Sequence, residues 1–400
     1  MAIRFPIFMD NHSTTPVDPR VLEVMLPYFT DKFGHPASRN HPFGWEAEKA
    51  VDQAREQVAR LIGARDPKEV IFTSGGTESD NLALKGVAEM YREKGDHIIT
   101  TVIEHRAILD TAKRLERQGI KVTYLPVDKD GLVDPEAVRT AITAKTILIS
   151  VMFANNEVGT IQPLGEIARL TRSRGIVLHA DCVQSLGKIP VDLATPGLDL
   201  ASFAAHKIHG PKGVGALFAR KGLALEPMLV GGSHESGRRA GTENVPGILG
   251  FAKAVEIAVG DLARETERQR KLRDRLQAAL AGAIDPMRVN GHPERRLPNH
   301  LSVCFPGVEA EGVILHLSSE GIAVSSGSAC TSASQEPSHV LSAMGIPADI
   351  ARGTIRYTLG RATREEDLHA VVSATARAVE KLRALNPMWP PAAVSEGRSV

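Results

Sequence analysis

Three cysteines in 400 residues, Cys182, Cys304 and Cys330, are too few and too widely spaced for a disulfide framework or a CxxC metal site. Their scarcity points to a reducing, cytoplasmic setting. Excess charge of either sign is also missing. The formal net charge is +1, so the overall balance does not argue for nucleic acid or an anionic membrane as a partner. No apolar run approaches the ~20 residues of a membrane span. The longest, residues 146–154 (TILISVMFA), suits a buried strand. The first residues (MAIRFPIFMD) lack the basic, apolar and small-residue succession of a secretory leader, and none is expected. Repeats and low-complexity segments do not stand out, and the terminal PPAAVSEGRSV reads as frayed. What remains is ordinary globular composition, 42% hydrophobic and 24% charged. The chain is long enough for a large core and two domains.

Over residues 50–220 short apolar runs alternate with amphipathic, charged segments: EVIFT (69–73), HIITTV (97–102), KVTYLP (121–126), ILISV (147–151) and IVLHA (176–180). Such alternation predicts a mostly parallel sheet wrapped by helices, with ligands gathered at the carboxyl ends of its strands. Residues 250–283 read as one long, highly charged helix, after which the pattern changes and a second, smaller domain begins.

Four segments carry chemistry-bearing residues. SSGSACTSAS (325–334) sets Cys330 among small polar residues that offer little to bury, as a reactive thiol on a loop requires; an incidental loop cysteine reads the same way. In FTSGGTESDN (72–81) a strand runs through glycines into a helix start, an arrangement that suits phosphate but also any tight strand–helix turn. In IVLHADCVQS, Asp181 falls just past a buried strand, where it can point into the ligand crevice or cap the next helix. In SFAAHKIHGPKG, Lys207 lies between histidines before a glycine-rich stretch. There a buried amine becomes a nucleophile able to form a Schiff base, with Lys212 a competing candidate.

A phosphate cradle, an acidic partner for a pyridine nitrogen and a buried lysine together make a pyridoxal phosphate site. Their order and context closely resemble the cysteine desulfurases, in the class V aminotransferase branch of the fold type I pyridoxal phosphate enzymes. The motifs run from DNHSTTPVDPRV at Asp10 to GTIRYTLGRAT at Thr363. Between them lie FGHPASRNHPFGWEAEKAV, IEHRAILD, ANNEVGTIQP, HADCVQSLGK, AHKIHGPKG, GRRAGTENVPG and SSGSACTSASQEPSHVL.

The resemblance implies an α/β fold: a mostly parallel seven-stranded sheet flanked by helices, plus a smaller α+β domain. We divide the chain into a large cofactor domain (16–255) and a small domain (1–15 and 256–400) carrying the cysteine loop at about 325–341.

It implies that Lys207 holds the cofactor covalently and that Asp181 pairs with the pyridine nitrogen. His105 stacks on the ring and assists proton transfer. Asn156 and Gln184 contact ring substituents, and Asn156 also meets the substrate. Gly76, Thr77 and His206 bind the phosphate, with Thr242 reaching in from a partner subunit. Arg356 grips the substrate carboxylate, and Cys330 is the thiolate that takes the sulfur. The implied reaction turns L-cysteine into L-alanine and a Cys330 persulfide. That sulfur passes to an iron–sulfur scaffold or another acceptor protein, and transient iron–sulfur contact through Cys330 is the only metal chemistry implied.

Some positions depart from the family pattern. Ala204 replaces a phosphate-binding serine, and His12 and His35 stand near the expected substrate mouth. Cys182 beside Asp181 reads as a buried filler, and Cys304 as core. A selenocysteine lyase, or another class V enzyme, is the alternative on the same fold; an aminotransferase would need no loop thiol. A non-enzymatic assembly protein would not need Lys207, Asp181, His105, Arg356 and Cys330 together.

Overall fold

The computed structural model of the chain describes residues 6–193, 197–327 and 337–389. Cys330 and much of the expected cysteine loop therefore lie outside the described residues. Strand β1 (Ile7–Phe8) is followed by β2 (Val70–Thr73), β3 (His97–Thr101), β4 (Lys121–Leu125), β5 (Thr146–Ser150), β6 (Val177–Asp181), β7 (Leu200–Ala204) and β8 (Gly215–Ala219). Then come β9 (Arg288–Asn290), β10 (His300–Cys304), β11 (Ile322–Ala323) and β12 (Thr354–Thr358).

Strands β2 to β8 form the expected seven-stranded sheet, in the order β2-β8-β7-β6-β5-β3-β4. All pairings are parallel except those β8 makes with β2 and β7. Strands β2, β3, β5, β6, β7 and β8 are buried at every position. That follows from continuous apolar runs such as TILIS, which need helices on both faces. One face packs Ile149, Leu178 and Phe203 against Val51, Val58 and Phe251, and the other packs Ile98, Leu148 and Leu217 against Leu82 and Ile108. Each such buried side chain stabilises the frame by roughly 1.5–3 kcal/mol. The strand order switches between β5 and β3, so the loops after β3, β5, β6 and β7 open into one crevice.

The helix expected over 250–283 is instead two, Val245–Gly260 and Leu262–Ala283, meeting at Asp261. Gly260 and Asp261 both weaken a helix interior. The two halves also have different surroundings: Ile248, Phe251 and Val255 are buried in the core against the large sheet, while the second helix is rich in charge and buries only Leu272, Arg273, Leu276 and Leu280. Beyond them, β12, β10 and β9 form an antiparallel sheet, and β1 pairs in parallel with β11. A second core gathers Met9 with Leu276, Val303, Tyr357 and Val371. The N-terminal segment thus joins residues from the far end of the chain. Cys304 is buried as expected, with Sγ 3.0 Å from Thr354 Oγ1. Among the described residues no helix is long and apolar enough to cross a membrane.

Candidate active site

A cavity of about 330 Å³ opens at the carboxyl ends of β3, β5, β6 and β7. Gly76, Thr77, His105, Asn156, Asp181, Gln184, His206, Lys207 and Arg356 all line it. Thr242 is exposed and does not line it; its hydroxyl lies 3.3 Å from His35 Nε2. His35, expected near the substrate mouth, is likewise absent from the lining. The His35 ring is turned to its own loop, where Nδ1 accepts from the Ala37 N–H.

The helix Gly76–Met90 starts at the cavity. Its N-cap, Gly75, has φ 149° and supplies no side-chain cap. Only glycine adopts that backbone without strain, and the first-turn N–H groups are left for a ligand. Gly215 lets β8 come close to this turn, because a Cβ there would lie 2.7 Å from the Gly75 Cα. His206, beside this turn, is 3.2 Å from Thr14 Oγ1. Burial and then the charge of Lys207 push its pKa down to about 4, so it enters the site neutral. Ala204 faces Gly76 with a methyl group and offers no hydrogen bond.

Lys207 ends a short 3-10 turn (Ala205–Lys207) directly after β7. Its Nζ donates to the carbonyls of His12 at 2.5 Å and Ser13 at 2.8 Å. His105 caps the helix Arg106–Glu116, its Nδ1 accepting from the Ala107 N–H at 3.1 Å. Asp181 closes β6 and accepts from the Val183 N–H at 2.9 Å. Burial raises the Asp181 pKa, against the opposing pull of His105 and Lys207. Lys188, buried, is driven down to about 7 by burial and by Lys207; it donates to Gln184 Oε1 at 2.9 Å. Gln184 Nε2 donates in turn to the His12 carbonyl at 3.0 Å, so the amide is fixed at both ends. Lys212, the competing lysine, does not line the cavity.

Arg356 is 2% exposed. It ion-pairs with Asp10 at 2.9 Å and also donates to Ser13 Oγ and to the carbonyls of Asn156 and Gly327. Cys182 is fully buried and its thiol pKa is pushed well up by burial, as a filler requires.

The sequence reading missed several lining residues, among them Ser13, Asp80, Glu157 and His339. Asp80 is the most informative. Its Oδ1 has no hydrogen-bond partner among the described residues, and burial, then Asp181, raises its pKa well above the carboxylate range. The visible signal was its place in TESDN, one helical turn past the phosphate-type glycines.

The residues present fit pyridoxal phosphate: an uncapped helix start for an anion, an amine beside it, and a buried carboxylate opposite. The family model for aminotransferase class-V matches residues 7–371. "Cysteine desulfurase IscS" of Anaeromyxobacter sp. (strain Fw109-5) is 52% identical over 389 residues, covering 97% of this chain and 96% of the relative. The protein of that name from Rickettsia peacockii (strain Rustic) is 49% identical, over 97% of this chain and 94% of its own. Among solved structures, a "NifS-like protein" superposes with TM-score 0.88 at 41% identity, over 94% of this chain and all of that one. "SspA in complex with cysteine" superposes with TM-score 0.78 at 36% identity, over 88% and 98% of the two chains.

Proposed function

The chain belongs to the class-V aminotransferase family and, within it, to the cysteine desulfurases; from that membership we propose how its own residues divide the work. It is a pyridoxal phosphate enzyme that acts on L-cysteine. The observation that carries the assignment of roles is the convergence of Lys207, Asp181, His105, Gly76, Thr77 and Arg356 on one cavity from five separate segments.

Lys207 Nζ is the covalent anchor, and Gly76, Thr77 and His206 surround the phosphate. Asp181 holds its charge against the pyridine nitrogen, while His105 and Gln184 border the ring. Bound there, the cofactor supplies an electron sink for charge left on the substrate carbon. Lys207 Nζ, once released, takes the proton from the substrate Cα. Arg356, with Asn156, orients the substrate carboxylate. The Cys330 thiolate attacks the substrate sulfur. An S–S bond forms as the C–S bond breaks, its electron pair and a proton go to carbon, and L-alanine leaves. Carbon is reduced and the thiol is oxidised to a persulfide, so no external oxidant is needed.

We assign the persulfide to an iron–sulfur scaffold or another acceptor protein, and the active form to a homodimer in which Thr242 completes the neighbouring phosphate site. The two-domain division at residues 15 and 255 and a cytoplasmic location belong to the same proposal. The test compares wild type with Cys330→Ala, reading the visible absorbance of bound cofactor and then sulfide and alanine after adding L-cysteine. Two yellow proteins, with sulfur and alanine released in step by wild type alone, support the roles. A mutant that desulfurates as fast as wild type overturns the assignment of Cys330.

A further inference from the structure

His12 and His300 form a buried pair whose ring nitrogens face three acceptor oxygens and each other, four contacts that the two protons of the neutral rings cannot fill. His12 Nε2 faces Asn299 Oδ1 at 3.3 Å. That oxygen is fixed as an acceptor because Asn299 Nδ2 donates to the Leu359 carbonyl at 3.0 Å. His300 Nε2 faces the Glu157 carbonyl at 3.0 Å, also an acceptor only. Each Nε2 must therefore carry hydrogen, which leaves the two Nδ1 atoms facing each other 3.2 Å apart as lone pairs. Moving a proton to either Nδ1 transfers the mismatch to the Nε2 it left. The gap suits a proton and not a metal ion, because two metal–nitrogen bonds of about 2.0 Å in line need roughly 4 Å.

The pair is 1% and 0% exposed, and its rings are 4.8 Å apart at 44°. The charges acting on it are cations: Lys188 and Arg356 on His12, and Arg356, Arg296 and Arg273 on His300. Burial, reinforced by these cations, holds both imidazoles well below their ordinary range. Two carboxylates near the pair are already engaged, Asp10 by Arg356 at 2.9 Å and Glu157 by the Ser338 hydroxyl. Yet His12 lines the cavity, and its Nδ1 lies 3.5 Å from the Asn156 carbonyl to which Arg356 Nη1 donates. An anion beside Arg356 supplies the negative charge the pair lacks.

We propose that the His12–His300 pair takes one proton from solvent into the Nδ1–Nδ1 gap when a carboxylate binds beside Arg356, and returns it when the carboxylate leaves. This rests on the assignment of Arg356 to the substrate carboxylate. It adds a second, conditional cation to that site, so that carboxylate binding weakens as pH rises.

The test uses propionate, a carboxylate without an amine, titrated calorimetrically into the holoenzyme at pH 8 in two buffers of different ionisation enthalpy. Wild type is expected to take up about one proton per propionate, and His12→Asn and His300→Asn each about one fewer. Independently of any variant, the wild-type Kd for propionate should rise about tenfold from pH 8 to pH 9. Arg356-dependent binding with no proton uptake, with uptake that both variants keep, or with a pH-independent Kd overturns the proposal. Binding that survives Arg356→Gln overturns the carboxylate assignment itself, and the proposal with it.

Discussion

Arg356 Nη1 donates to the Gly327 carbonyl at 3.1 Å, tying the residue assigned to the substrate carboxylate to the backbone three residues before Cys330. The second Nη1 bond goes to Asn156, and Nη2 is shared between Asp10 and Ser13. All four Nη hydrogens are in use, and Nε is buried without a partner. A carboxylate therefore reaches the fork by replacing one of these acceptors.

Arg356→Lys keeps the charge and loses the fork. The KM for L-cysteine should rise roughly ten- to a hundredfold, the loss of one charge-assisted bond of about 1.5–3 kcal/mol. Steady-state kinetics on a yellow, cofactor-loaded variant checks this. An unchanged KM would detach Arg356 from the substrate.

Asp80 and Asp181 lie together in a buried site, and of the two Asp80 is raised further above the carboxylate range. Asp80 is then the one held neutral. Asp80→Asn should leave kcat within about threefold of wild type, while Asp181→Asn should lower it about a hundredfold or more, a loss of at least ~2.7 kcal/mol. Equal losses in the two variants would refute the division.

Glu104 is fully buried, and burial lifts its pKa to about 8, with Thr101 and the Met152 N–H pulling the other way. Between the unfolded value near 4.5 and 8 the folded chain holds a proton the unfolded chain has lost. Stability from this group is therefore fully present below pH 4.5 and is lost as pH rises through 8. Thermal melts at pH 5 and pH 8 should show the wild-type Tm falling by about a few °C more than that of Glu104→Gln. A parallel pair of curves would show that Glu104 does not titrate in this window.

Thr242 lies with His35 outside the cavity of its own chain. If it completes a neighbour's phosphate site, Thr242→Ala should weaken cofactor retention in the dimer, and dilution to monomers should abolish activity. An active monomer in sedimentation would refute the shared site.

The large sheet was legible because EVIFT, HIITT and TILIS each centre on two or three adjacent large apolar residues flanked by short polar ones, between charged, amphipathic segments. The small sheet was not. Its strand β12 reads TIRYT, where the inward Arg356 is a site residue rather than a core one, and β1 is too short for a period to show. Lys207, Asp181 and His105 were legible through the motifs that frame them. Asp80 and the His12–His300 pair were not, because burial and a neighbour's acceptor, not residue type, set their chemistry. Cys330 falls outside the described residues, so its placement stays a proposal.

Lys207 Nζ rests on the carbonyls of His12 and Ser13, and that segment is itself anchored by Thr358, whose N–H donates to the Met9 carbonyl at 2.8 Å. Segments 349 residues apart in the sequence thus meet beside the reactive amine. Without β12 the segment that seats that lysine loses its anchor, so a competent pocket depends on a strand that contributes nothing to the large sheet.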